Sequence, residues 1–424
     1  MSPYAPAQFP ERLINGPVGN ARGFWLTKAV PLSELTRLKA LFFAYFAYVG
    51  ILSPYLSLYF SGQGYTVAQI GVLMTVPNLL RIVSPPFWGW MADQSGRSDR
   101  LLRISTVLTV SCVALLPVAS DLGYLACVGL LGLMFFVSGA QVPIGEARTL
   151  ALTGGDSGQY GRIRLWGSIG FIAAVVLGGP VLDALGTLSL PLWAALPLLL
   201  LLTVVWGARE LPATEKSNQV VIRLRDRFLQ PYIAAFFVAN FLMIFAHAAL
   251  YVLFSLYLES HGYSKSVIGL LWAVGVVAEV VLFRCQRPLF ERFGALTLLS
   301  FSLFIAALRF AAVGLSDGAF VVIIATQLMH MVTFGLHHSA VMKLLHQWFA
   351  PAQQARAQAT YLTIAYGLGG TIGGLALTTV WSTFSAQMAF FAAGLIASLG
   401  WLAPLCCIRW HPTVVAVSTP QRGG

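Results

Sequence analysis

Repetition is what most restricts the fold of this chain. Twelve stretches, each long and apolar enough to cross a lipid bilayer, follow one another with short polar breaks. A helix needs about 20 mainly apolar residues to span the hydrocarbon core. With that window, spans fall near residues 37–60, 67–92, 101–119, 123–146, 162–182, 188–207, 229–258, 266–287, 295–314, 319–343, 357–381 and 386–408. The breaks carry turn residues, as in "SGQGYT", "DLG" and "LSDGA". Gly-rich stretches such as "YGLGGTIGGLALTT" would weaken a helix in water. In lipid they let helices approach closely. Backbone polar groups in lipid must be satisfied internally, so the expected fold class is an all-α membrane protein. Charged residues are 10% of the 424, against about 25% in an ordinary soluble domain.

A net charge of +11 would suggest nucleic acid as the partner of a soluble chain, but here the placement of the charges matters more. With the amino terminus taken as cytoplasmic, 23 of the 26 Lys and Arg residues fall on one face. Only Lys265 falls on the other, and Arg81 and Arg309 lie inside spans. This bias implies that both termini are cytoplasmic, and it turns the basic charge into an orientation signal. Nucleic acid is therefore not an expected partner. No compact signal-peptide core precedes the first span, which is expected to act as the insertion signal itself. The five cysteines show no framework spacing, and no Walker motif suggests ATP coupling. No cofactor is expected, and no obligate protein partner is evident.

Residues 52–76 laid over residues 250–274 give ten identities without a gap, among them Ser57/Ser255, Tyr59/Tyr257, Gly64/Gly262, Tyr65/Tyr263 and Gly71/Gly269. Chance in such apolar windows would give about two. The offset spans six helices, an even number, so both copies keep one orientation and form a parallel repeat. The expected organisation is a cytoplasmic segment 1–36, a six-helix half 37–207, a basic cytoplasmic linker 208–228, a second six-helix half 229–410 and a cytoplasmic tail 411–424.

An ionisable group deep in a bilayer costs at least about 2.5 kcal/mol and needs a partner or a task. At 1.5 Å per residue, Glu146 and Arg164 reach similar depth near the cytoplasmic side, where they can face each other. They fit either a substrate grip or an interfacial ion pair with Arg164 reaching water. Glu279, in "VVAEVV", and Arg309, in "AALRFAA", lie too deep for that escape. Burial favours a neutral carboxyl and a nearby arginine favours a charged one, so this pair is the leading candidate for proton coupling. A static buried salt bridge is the alternative. His330, His337 and His338 join Gln327 in the tenth span. On an α-helix His330 and His337 share a face, with His338 about 80–100° around, a pattern that suits a cavity lining. No carboxylate or cysteine joins them, so no metal site is expected.

Arg81, in "NLLRIVSPP", fits an anion contact, a pairing with Glu146, or a structural arginine reaching water. Asn240 and His247, seven apart, fit a polar lining or the core. Tyr45, Tyr48, Tyr55, Trp272, Tyr361 and Tyr366 fit stacking on a flat substrate as well as packing.

The loop "GWMADQSGR" resembles the signature of the major facilitator superfamily, with Gly89, Asp93, Gly96 and Arg97 at its motif positions and Gln94 where a basic residue usually stands. The resemblance implies a conformational latch in which Asp93 pairs with arginine. "YGRIRLWGSIGF", "GYSKSVIGLLWAVGVVAE" and "QLMHMVTFGLHHSA" resemble the 3-phenylpropionate transporter family, a branch similar to the lactose permease group of proton symporters. That resemblance implies substrate contact for Glu146 and Arg164, and proton coupling for Arg309 and His330. It finds Thr333 where the group has a carboxylate, leaving Glu279 and His338 as candidate proton carriers. The expected function is alternating-access symport of protons with a small organic solute, an aromatic carboxylate first among them. The binding set would be Glu146, Arg164, Arg81, His337, Asn240, Trp272 and Tyr361. The expected partners are that small-molecule substrate, protons and the lipid bilayer. A sugar or nucleoside symporter, an efflux permease and a receptor on a transporter fold are the rivals.

Overall fold

The computed structural model describes residues 32–154, 156–207, 228 and 230–410. The carboxyl-terminal tail, nearly all of the linker and most of the amino-terminal segment lie outside these. The described chain is almost wholly helical, in twelve successive segments. These are α1 Leu32–Gly62, α2 Val67–Ser95, α3 Ser98–Ala114 continued as Leu116–Leu122, α4 Tyr124–Leu152, α5 Ser157–Leu185 and α6 Leu190–Gly207. The second set is α7 Pro231–Ser260, α8 Lys265–Cys285, α9 Ala295–Leu315, α10 Phe320–Trp348, α11 Gln353–Thr383 and α12 Ala386–Trp410. Eleven have the length and apolarity to cross a membrane, and α3 makes a twelfth despite a 47° bend. Pro117, in the first turn after that bend, lacks the N–H that would continue the ladder.

The internal repeat is visible as repeated chemistry. Tyr59 Oη lies 3.0 Å from Ser120 Oγ, and Tyr257 Oη lies 3.0 Å from Ser316 Oγ. The Tyr65 ring packs on Tyr124 at 5.7 Å and the Tyr263 ring on Phe320 at 6.2 Å. Gly64 and Gly262 both turn the chain with positive φ, 82° and 79°. The next helix is then capped by Thr66 in one half and Ser264 in the other.

The halves meet along two seams, α2 with α11 and α5 with α8. Along the first, Gly374 lies on Thr75, Gly370 on Asn78 and Gly367 on Ile82. On the second, Gly179 lies against the backbone of Lys265 and Ser266, while Gly269 lies against Val175 O and Tyr55 Oη, leaving no room for a Cβ at either glycine. Tyr55 Oη donates to Val175 O at 2.6 Å and to Lys265 O at 3.3 Å, which ties α1, α5 and α8 together. These contacts close one end of the bundle, and a cavity lies on the other side of them.

Candidate functional site: a cavity between the halves

A cavity of about 440 Å³ lies between the halves. Tyr45, Tyr48, Arg81 and Arg164 line it from the first half, and Trp272, Glu279, His330 and Tyr366 from the second. Its wall is mostly apolar and aromatic, as suits a small organic ligand. Glu279 is the one carboxylate among the described lining residues.

Behind this wall α9 and α10 hold a polar network. Arg309 is 1% exposed, and its guanidinium reaches three acceptors. Nη1 donates to His330 Nδ1 at 3.1 Å and to Thr333 Oγ1 at 3.0 Å, and Nη2 donates to Gln327 Oε1 at 2.9 Å. Arginine has no acceptor, so His330 Nδ1 must accept. That leaves the proton of a neutral His330 on Nε2, which lies 3.9 Å from Glu279 Oε2. The direct Glu279–Arg309 pair expected from their depth is therefore not formed, because His330 stands between the two. Glycines set this spacing, since His330 packs on Gly275 of α8 and Glu279 on Gly335 of α10.

A π-helical stretch, Met331–Leu336, separates His330 from His337. The extra residue in that turn rotates the remainder of the helix by about 100°, so the shared face expected of an unbroken α-helix is lost. His330 faces the cavity. His337 points into the core, with Ser302 Oγ 2.9 Å from Nδ1 and Asn240 Oδ1 3.0 Å from Nε2. Asn240, fully buried, also donates to Phe236 O at 2.7 Å. His247 bridges Met243 O at 2.9 Å and Thr333 Oγ1 at 3.3 Å. None of these three lines the cavity, nor does His338. Tyr361 is fully buried and packs edge-on against Tyr366 at 5.8 Å. The cavity-lining ring of that pair is Tyr366, which follows Tyr361 by five residues on a second π-helical stretch, Leu362–Gly369. Trp272 lines the cavity and donates to Ser255 Oγ at 3.1 Å.

Glu146 and Arg164 do face each other, with Arg164 Nε 3.8 Å from Glu146 Oε1 and both side chains half-buried. The Arg164 guanidinium also sits 4.0 Å over the Phe46 ring. Arg81 does not pair with Glu146. Its guanidinium lies 5.6 Å over the ring of Tyr366, from the opposite half.

At the signature loop, Gly96 ends α2 in the left-handed conformation, φ 61°, with its N–H on Ala92 O at 3.0 Å. Gly89 has open space where a Cβ would stand. Asp93 and Arg97 are exposed, and Asp93 makes no ion pair among the described residues, so the arginine pairing implied by the resemblance is not made in this conformation. The buried ion pairs nearby belong to other residues. Arg148 joins Asp99 and also reaches Glu34 at 3.3 Å, while Glu34 holds Arg37 at 2.6 Å.

Sequence reasoning misses this group because the basic residues there read as orientation charge. It also misses Asp183, which looks like a loop charge just past a span. A carboxylate 82 and 83 residues from the Lys265 and Ser266 amides that it binds leaves no local signal.

Residues 35–392 match the MFS_1 like family, and the chain belongs to this family of major facilitator superfamily transporters. It is a multi-pass membrane transporter and not an enzyme. The "Probable 3-phenylpropionic acid transporter" of Escherichia coli (strain K12) is 28% identical over 369 residues, which cover 84% of this chain and 92% of that protein. The maltose permease of Geobacillus stearothermophilus is 26% identical over 329 residues, covering 77% and 82%. The crystal structure of the nucleoside transporter NupG shares the fold at a TM-score of 0.76 and 18% identity, over 89% of this chain and 99% of that one.

Proposed function

We propose that this member of the major facilitator superfamily is a proton-coupled symporter that imports a small aromatic carboxylate, of the 3-phenylpropionate kind, across a bacterial inner membrane. Both termini are cytoplasmic in this reading, so the end closed by the α5–α8 seam faces the periplasm and the cavity serves the cytoplasm. The observation that carries the reading is the Glu279–His330–Arg309 line, a carboxylate at the cavity wall backed through one imidazole by a buried arginine. Arg81 and Arg164 already outweigh the one lining carboxylate, and protonating Glu279 enlarges that positive surplus, which favours entry of an anion. Deprotonation after release lowers the surplus again. Aromatic walls suit a flat ring, and the acid for which the Escherichia coli relative is named supports the same class.

The test is uptake of radiolabelled 3-phenylpropionate into proteoliposomes under an imposed pH gradient, with maltose as the competing candidate because a maltose permease is also a relative. Wild type is expected to accumulate the acid. Glu279→Gln is expected to lose accumulation while retaining counterflow exchange. Gradient-driven uptake unchanged in Glu279→Gln sinks the coupling role, and uptake of maltose alone sinks the substrate class.

A further inference from the structure

We infer that Arg81, and not Arg164, is the anchor for the substrate carboxylate, with Tyr366 as the adjoining ring that selects an aromatic body. This rests on the proposed aromatic carboxylate substrate and adds the identity of the anchoring residue. Three arginines stand in or behind the cavity wall, and they differ in what they already hold. Arg309 is buried, and its donors go to His330, Thr333 and Gln327. Arg164 has Glu146 at 3.8 Å and rests on Phe46. A bound anion would have to compete with that carboxylate. Arg81 is exposed to the cavity and has no hydrogen bond or ion pair among the described residues, only the Tyr366 ring at 5.6 Å. Its planar fork of donors is unspent, and such a fork suits a bidentate carboxylate.

The location adds selectivity. Arg81 is on α2 and Tyr366 on α11, and beside them Ile82 and Gly367 bring the two helices into contact. An aromatic acid held here touches one half through its carboxylate and the other through its ring. Its contacts therefore change when the halves move, which a transported ligand requires.

Binding of 3-phenylpropionate and of its uncharged amide to the purified full-length protein, measured by isothermal titration, tests the assignment. Wild type and Arg164→Gln are expected to prefer the acid, and Arg81→Gln to lose that preference by about 10- to 100-fold in Kd, the range for a charge-assisted contact. Arg81→Lys is expected to keep part of it, and with monodisperse elution this shows that the Arg81→Gln loss is not unfolding. Tyr366→Leu is expected to weaken 3-phenylpropionate more than its cyclohexyl counterpart. Loss of the acid preference in Arg164→Gln with retention in Arg81→Gln overturns the assignment and leaves the aromatic carboxylate reading standing. A wild type that does not prefer the acid overturns both.

Discussion

The carboxylate of Asp183, near the end of α5, caps the first turn of α8 at Ser266. Oδ2 accepts from Ser266 N at 2.9 Å and from Ser266 Oγ at 2.5 Å, and Oδ1 accepts from Lys265 N at 2.8 Å. An acidic side chain on the free amides of a helix start is favourable both as a cap and against the helix dipole. Here the cap comes from the opposite half, so it stabilises only the conformation in which this end is closed. Asp183→Asn weakens it by about 1 kcal/mol, enough to raise the open population roughly fivefold. In a cysteine-free background, a thiol at buried Leu52 is expected to react correspondingly faster with an impermeant maleimide added from the Asp183 face. An unchanged labelling rate removes Asp183 from the gate.

The same end should be sensitive to volume. A Cβ at Gly179 would overlap the Lys265 and Ser266 backbone, and backbone cannot rotate away as a side chain can. Gly179→Val is therefore expected to block closure and abolish transport while leaving the fold intact, since the clash exists only when the halves meet. Pulsed spin-label distances between α5 and α8 at this end should lengthen. Normal transport with unchanged distances shows that the seam tolerates the volume.

The pseudo-symmetric Tyr59–Ser120 and Tyr257–Ser316 bonds show how far the chain is legible in advance. Identities at 52–76 and 250–274 signal the duplication, and the apolar window finds every span to within a few residues, because bilayer thickness and backbone satisfaction leave few other solutions. Depth counting also brings Glu146 to Arg164, since α4 continues as one span through its turn at Gly139 and Ala140 and α5 is an unbroken helix. It fails in α10 and α11. A π-helical stretch changes the facing of every later residue in its helix, which moves His337 into the core; the stretch in α11 likewise sets the facing of Tyr366 on the cavity wall, while Tyr361, ahead of it, is buried. Hydropathy does not register one extra residue in a turn.

Thr333 links two buried groups, since its Oγ1 accepts from Arg309 and contacts His247 Nε2. Valine keeps the shape and removes the hydroxyl, leaving one guanidinium N–H and one imidazole nitrogen without a partner. Thr333→Val is expected to cost about 1 kcal/mol, the usual scale for buried polar contacts in membrane bundles. Thermal unfolding in detergent reads this loss. Because Glu279 touches neither group lost, ligand binding should persist. Abolished binding with unchanged stability contradicts this division of roles.

The last expectation concerns two aspartates six residues apart with opposite surroundings. Asp99 is buried against Arg148, which also reaches Glu34, so α1, α3 and α4 share one ionic centre. Removing Arg148 would take away the cation that these two buried carboxylates share, with Arg37 still on Glu34. Breaking a buried ion group from one side costs about 3–5 kcal/mol, far more than its net contribution as a pair. Arg148→Met is thus expected to destabilise the first half severely, and Asp99→Asn to do so less. Asp93, exposed at the end of α2, has no such partner in this conformation, so Asp93→Asn should leave unfolding within about 0.5 kcal/mol of wild type. If Asp93 pairs with arginine only when its own end of the bundle closes, its substitution should instead slow transport. Equal thermal losses for the Asp93 and Asp99 variants would contradict this separation, in which Asp99 holds the half together and Asp93 acts on the motion between halves.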